Sequence, residues 1–276
     1  MDRAAALVEA IASRAGPRLP ELEWHEAIGS TSDRLKDLAR SGAPEWTAIL
    51  AERQTGGRGR EGRTWQSPPG GLYLSVLLRP GAGPVSLLPL ATGVAVAEAV
   101  AEFGVAGELK WPNDVLVSGR KLAGILAEAS SASAGVEWVV LGIGVNVALD
   151  PGSLPAELRA GVTSLHAEGA REASTVGVAA AVLARLGVWY DAVREAPSRV
   201  VAAWRERAVP WWGSLVDVRM GGAVLCGRLV GIDDDGALVI ELSDGARRRL
   251  VSGEVSSVRA SGPEPEDRSR HRGERA

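Results

Sequence analysis

The chain has 276 residues and a net charge of −3, with 46% hydrophobic and 24% charged residues; that fits one large globular domain or two unequal ones and excludes a fibrous or fully disordered chain. A slightly negative chain has no overall field to draw it to DNA or anionic lipid, and its single cysteine, Cys226, excludes an intramolecular disulfide and suits a reducing, cytoplasmic setting. The sequence offers neither a signal peptide nor the ~18 uninterrupted apolar residues of a membrane span.

Residues 3–13, with Leu7, Val8 and Ile11 at helical spacing, predict a short amphipathic helix. Residues 22–42 read as a strand, a polar turn and a helix that Ser30 or Thr31 caps, with Asp33 placed as in a capping box, Leu35 and Leu38 on its apolar face and Gly42 at its end. A strand over 47–53 leads into "QTGGRGREGRTW" (54–65), and a second strand covers 71–80. An alanine-rich buried helix follows over 87–103. Residues 108–130 hold two strands with a tight turn at Ser118–Gly119, 137–147 is an apolar strand interrupted by glycines, and 172–208 holds two helices. From 213 to 259 short apolar stretches alternate with Gly-Gly, Asp-Asp-Asp-Gly and Asp-Gly turns, which predicts a small antiparallel barrel of about five strands. The polar, proline-containing end is expected to be disordered. Strands and helices mix without strict alternation, so the fold class is α+β, a mixed sheet packed with helices. The expected division is a large domain over 1–212, the small barrel over 213–260 and a tail over 261–276.

Three segments carry candidate chemistry. The 54–65 loop has four glycines and three arginines, and its residues alone allow a solvated linker, a nucleic-acid contact or an anion clamp. Glycines let backbone N–H groups approach an anion, and arginines add forked donors. The loop lacks the Gly-Lys-Ser/Thr of a P-loop and the βαβ context of a dinucleotide fingerprint. An Arg-Gly nucleic-acid segment is usually repeated and terminal, whereas this one sits between apolar strands. In the second segment, "KWPNDVLVSGRKLAGIL" (110–126), Lys121 lies in an apolar strand. Burying it requires an anionic partner, unless it snorkels to solvent. Asp114 is a turn former, or a base or orienter facing that lysine, and Gly124 admits close backbone approach. In the third, "GIGVNV" (142–147), Asn146 either satisfies strand-end backbone groups or hydrogen-bonds a ligand.

Together with "GST" (29–31), these segments stand in the order and spacing of the biotin protein ligase family. The sequence resembles that family over roughly 20–259, and resembles its monofunctional type. The resemblance implies a class II synthetase-like catalytic domain followed by a small β-barrel. It also implies two steps: biotin and Mg2+-ATP give biotinyl-5'-adenylate, and a lysine of a biotin carboxyl carrier protein then displaces AMP. It assigns catalysis to Lys121, Arg58, Arg60 and Asp114. Biotin contacts fall to Ser30, Thr31, Gln54, Gly57, Arg58, Arg60, Lys121 and Gly124, and ATP contacts to Arg58, Arg60, Arg63, Trp65, Lys121 and Asn146, with no metal-ligating residues. Gly57 and Gly59 would let the loop fold over the intermediate. Asp114 would orient or deprotonate the acceptor lysine, whose free pKa is about 10.4. Ser32, Gly29 and Glu61 depart from residues common in the family.

The resemblance also names the expected partners, an acetyl- or acyl-CoA carboxylase carrier domain and a possible second copy of the chain. With the first catalytic strand expected near residue 22 and no basic recognition helix, no DNA binding is expected. Lipoate–protein ligase is the nearest alternative enzyme, against which the Gly-Arg loop and the barrel argue. A non-catalytic Arg-Gly nucleic-acid module leaves "KWPND" and "RKLAGIL" without a purpose.

Overall fold

The computed structural model describes residues 3–15, 18, 21–132 and 135–259; the tail expected to be disordered lies outside them. After helix α1 (Arg3–Ala15), strand β1 (Leu22–His25) leads to helix α2 (Thr31–Arg40), which Ser30 caps by accepting a hydrogen bond from the Asp33 N–H at 3.3 Å. Strands β2 (Ala48–Ala51) and β3 (Gly71–Leu78) flank the Gly-Arg loop, and helix α3 (Leu88–Ala101) follows. Residues 108–132 form three strands rather than two: β4 (Glu108–Lys110), β5 (Asp114–Val117) and β6 (Arg120–Ala132). The first break falls at Pro112 and Asn113, turn formers that stand between two apolar stretches in the sequence. The second lies as expected at Ser118–Gly119, both with positive φ (50° and 75°), as a two-residue hairpin requires. Strand β7 (Gly135–Asn146), the short helix α4 (Ala156–Arg159), and the helices α5 (Thr175–Glu195) and α6 (Pro197–Arg207) complete the larger part.

Its seven strands run in the order β1-β2-β3-β7-β6-β5-β4, antiparallel except for β1 with β2. Period-two alternation gives the sheet two different faces. One carries Leu50, Leu72, Leu74, Val76, Leu141, Ile143 and Val145 into a large core with Val94, Val178 and Leu183 of α3 and α5. The other carries Ile49, Leu77, Trp138 and Val140, and α2 covers it with Leu35 and Ala39. α2 is short and covers one end of this face only. The other end, under the Gly-Arg loop, lines a cavity.

Among the described residues, α5 is the one helix long and apolar enough to cross a membrane, a feature the sequence reading passed over because no apolar run in it is unbroken. In the fold it is the central core helix, with Val178, Leu183, Leu186 and Val193 buried.

The C-terminal part holds the five expected strands, β8 (Leu215–Met220), β9 (Ala223–Ile232), β10 (Leu238–Glu241), β11 (Arg247–Leu250) and β12 (Glu254–Arg259). They form an antiparallel sheet in the order β11-β10-β9-β8-β12. Its inward residues Val216, Val218, Leu229, Ile240 and Val255 join the main buried cluster. The Val209 N–H donates to the Leu109 carbonyl (3.0 Å), and the buried Trp111 indole N–H donates to the Gly236 carbonyl (3.0 Å). Trp111→Phe removes that donor and leaves the carbonyl unpaired, which costs about 1–3 kcal/mol. A urea titration should therefore show a lower midpoint with an unchanged slope; an unchanged midpoint would mean the bond does not hold the two parts together.

Candidate active site

The site begins with a bulge. Antiparallel partners share a face, and Asp114, Gly124, Gly144 and Tyr73 pair in one row across β5, β6, β7 and β3. Lys121 stands three residues before Gly124, so regular alternation would point it to the opposite face. The β5–β6 register shifts between Val115 and Leu116, and Leu122 is left as the extra residue. The bulge turns Lys121 onto the face of Gly124 and sends Leu122 into the core, where it is fully buried. The Lys121 ammonium then lies 2.6 Å from Asp114 Oδ1, the anionic partner that its position demands.

Gly124 and Gly144, adjacent in this row, make a flat floor. The Trp65 indole lies against it: a Cβ would stand 2.9 Å from the ring at Gly124 and 2.6 Å at Gly144. Lys121 Nζ sits 5.1 Å from the centre of the same ring, in cation–π range. The glycines therefore serve the close approach of an aromatic ring, and any larger residue would evict it.

Trp65 is delivered by the Gly-Arg loop, which is folded as a small hairpin. Gly59 N–H donates to the Arg63 carbonyl (2.7 Å), Trp65 N–H donates to the Gly57 carbonyl (3.0 Å), and Arg58 bridges Thr64. Glu61 takes the turn with φ 55°. A Cβ on Gly57 would stand 2.5 Å from Ser67 Oγ and from the Trp65 carbonyl, so glycine is required there. The three arginines point to different anchors. Arg58 Nη2 reaches Glu128 (2.5 Å) and Asp33 (2.9 Å). Arg60 donates to the Gly253 carbonyl (3.0 Å) and to Asn113 Oδ1 (3.4 Å), and Arg63 pairs with Glu254 (2.8 Å).

Burial pushes the Arg60 guanidinium below its ordinary pKa, and the charge of Arg63 adds to this. Burial alone would raise the Glu254 carboxyl. The hydrogen bond and charge of Arg63, together with Lys110 and Lys121, hold it below the usual carboxylate range.

The far wall is a relay of small polar groups. Thr31 donates to Gln54 Oε1 through its N–H (2.9 Å) and hydroxyl (3.1 Å), Gln54 Nε2 donates to Ser67 Oγ (3.0 Å), and Ser67 donates to the Trp65 carbonyl (3.1 Å). Ser75 Oγ donates to Thr31 Oγ1 (2.8 Å) and lies 3.0 Å from Ser32 Oγ. A cavity of about 240 Å³ lies among these walls, lined by Thr31, Gln54, all three loop arginines, Trp65, Lys121 and Asn146. Polar relay, apolar floor and four cationic side chains border the same cavity, a lining for a ligand with an apolar body and an anionic group.

A biotin/lipoate A/B protein ligase family model matches residues 24–146, and a biotin protein ligase C-terminal domain model matches 213–257. The chain is 36% identical to the biotin–[acetyl-CoA-carboxylase] ligase of Mycobacterium tuberculosis, over 89% of this chain and 92% of that one. It is 34% identical to the bifunctional ligase/repressor BirA of Bacillus subtilis, over 82% of this chain and 71% of that one. Its fold superposes on the Aquifex aeolicus biotin protein ligase solved with biotin and ATP, with a TM-score of 0.75 at 32% identity over 88% of this chain and all of the other.

The chain belongs to the biotin protein ligase family.

In the ligase every candidate site residue except Gly57, which lies against Trp65 and Ser67, lines this cavity, though not always with a free side chain. The Ser30 hydroxyl accepts the helix-cap bond, and Gln54 accepts from Thr31 and donates to Ser67 in the relay. Asn146, only 4% exposed, donates through Nδ2 to the carbonyls of Thr163 (2.9 Å) and Lys121 (3.2 Å). It thereby ties β6 to the 161–163 segment, which also bonds the Lys121 backbone on both sides. The bland alternative, an asparagine satisfying backbone groups, is thus the geometry of its amide nitrogen.

Two participants were not among the candidate site residues. Glu254 stands at the start of an ordinary strand, and Asn113 sits inside a turn where its side chain donates to the Ile125 carbonyl (2.7 Å). The "GE" (253–254) at the start of β12 signals its role only once the fold lays it on the loop.

In the ligase, Gly144→Ala should displace the Trp65 indole from its floor. Acrylamide quenching of the Trp65 signal, isolated by subtracting a Trp65→Phe variant, should rise; unchanged quenching would mean that the floor does not hold the ring.

Proposed function

We propose that the enzyme attaches biotin to one lysine of a biotin carboxyl carrier domain, in two steps through biotinyl-5'-adenylate. The observation that carries this reading is a single cavity lined by Arg58, Arg60, Arg63 and Lys121 together with a polar relay and a glycine floor. Residues 1–212 would form the catalytic domain and 213–260 the module that closes on it.

The first step joins two anions, the biotin carboxylate and the α-phosphate of ATP. Cations held in place beforehand offset their repulsion and neutralise charge as it builds on the phosphate. Lys121 is best suited to the reacting centre, because the bulge and Asp114 fix it from two sides. Thr31 and Gln54 would bind the biotin ring system, with Ser30 as part of the same turn. Trp65 and Asn146 would border the nucleotide. Arg60, on the hairpin, would close over the adenylate together with Gly57 and Gly59 and limit its escape.

In the second step the acceptor amine must lose a proton before it attacks the mixed anhydride carbonyl and AMP leaves. Asp114 is the candidate to orient it or to take that proton. ATP would arrive with Mg2+. Among the described residues no three His, Cys, Asp or Glu side chains converge, and both cavity carboxylates, Asp114 and Glu254, are paired with cations. The ion therefore fits as one held chiefly by the phosphates, a mode Mg2+ favours.

Lys121→Ala should lower biotin-dependent exchange of pyrophosphate into ATP by about 3–4 kcal/mol of transition-state stabilisation, the scale of a donor aimed at developing charge. Near-normal exchange would remove Lys121 from the chemistry. Arg60→Gly should speed escape of the adenylate into solution while leaving its synthesis measurable; slow escape in that variant would remove the lid role.

A further inference from the structure

At the stem of the Gly-Arg hairpin four charges alternate in a ring. Lys36 Nζ lies 2.8 Å from Asp33 Oδ1 and 3.1 Å from Glu128 Oε1, while Arg58 Nη2 lies 2.9 Å from Asp33 Oδ1 and 2.5 Å from Glu128 Oε2. They come from three separate places: Asp33 and Lys36 from α2, Glu128 from β6, and Arg58 from the loop. The carboxylates are acceptors for both cations. Burial alone would raise the Asp33 carboxyl, but its hydrogen bond to Lys36 and the charge of Arg58 hold it below the usual carboxylate range.

Arg58 Nε is buried without a partner, and the side chain is anchored through Nη2 on the two carboxylates. Lys36 is the most buried of the four, its side chain 16% exposed, and it reaches both of those carboxylates. The two cations therefore compete for one pair of anions.

We infer that Glu128 and Lys36 are positioning residues that act on the loop through Arg58 in opposite senses. Glu128 holds the hairpin stem against α2 and β6. Lys36 draws part of the same negative charge to itself and keeps that hold from becoming too tight. Charge-assisted bonds of this kind are worth more than neutral ones but are moderated by partial exposure. Without Glu128 the ring carries a net positive charge and the stem loosens. Without Lys36 both carboxylates are left to Arg58 and the stem tightens. The consequence for catalysis rests on the proposed lid role of the loop: the ring sets how long the adenylate is retained.

The test uses the full-length protein with Glu128→Gln and Lys36→Met, and two readouts. The first is hydrogen exchange of the Gly59 and Trp65 amides, which the hairpin bonds protect, without added ligand. The second is the rate at which biotinyl-adenylate leaves the enzyme supplied with biotin and ATP. Glu128→Gln should raise both by about three- to tenfold, the yield of one partly exposed charge-assisted contact, and Lys36→Met should lower both. In an Arg58→Ala background Glu128→Gln should have no further effect. Should Glu128→Gln fail to fold, Asp33→Asn, on the exposed side of the ring, should shift both readouts in the same direction as expected for it. Both variants loosening the loop, neither changing it, or Glu128→Gln adding to Arg58→Ala would overturn the inference. If the wild type forms no adenylate the proposed reaction fails instead, and amide exchange alone still decides the ring.

Discussion

The site depends on one irregularity, the β-bulge that turns Lys121 onto the face of Gly124 and Gly144. A lysine in an apolar strand is expensive to bury, and the sheet's own alternation would have sent it into the core beneath α3 and α5. The extra residue Leu122 takes the core position instead, and Asp114 on the neighbouring strand supplies the counter-charge. The cation is thereby fixed by packing, by an ion pair and by backbone bonds to 161–163, with little freedom left to lose when an anion arrives.

Around that lysine the structure gathers further positive charge and anchors each side chain. Arg58 is held by Asp33 and Glu128, Arg60 by the Gly253 carbonyl and Asn113, and Arg63 by Glu254. Two of these anchors belong to the C-terminal module. The module is thus part of the wall around the cavity, and the buried Trp111–Gly236 bond helps fix where it stands. An arrangement of this kind keeps the donors oriented before a substrate enters, which is what electrostatic catalysis needs.

Much of the fold was legible because it rests on local periodicity. The buried helix over 87–103, the hairpin turn at Ser118–Gly119 and the five C-terminal strands follow from apolar spacing and turn residues. The site was legible where one segment carried several unusual residues at once, as in the glycines and arginines of 54–65 or the lysine of "RKLAGIL". What did not show was everything set by register and long-range pairing. The bulge at Leu122 cannot be read from an apolar run. Glu254 is distant in sequence from the arginine it holds. The ring of Asp33, Lys36, Arg58 and Glu128 needs α2, the loop and β6 to be superposed before it exists. The same holds for Asn146, whose amide nitrogen was open to a ligand on paper and is bonded to backbone in the fold.

The most direct test of the account is transfer itself. The purified protein is given labelled biotin and ATP with an apo biotin carrier domain, and in parallel labelled lipoate and ATP with a lipoyl domain. Mass spectrometry then locates the label. The account predicts biotin on a single lysine of the carrier, with AMP and pyrophosphate released and no label on the lipoyl domain. An unmodified carrier beside a lipoylated lipoyl domain would contradict it.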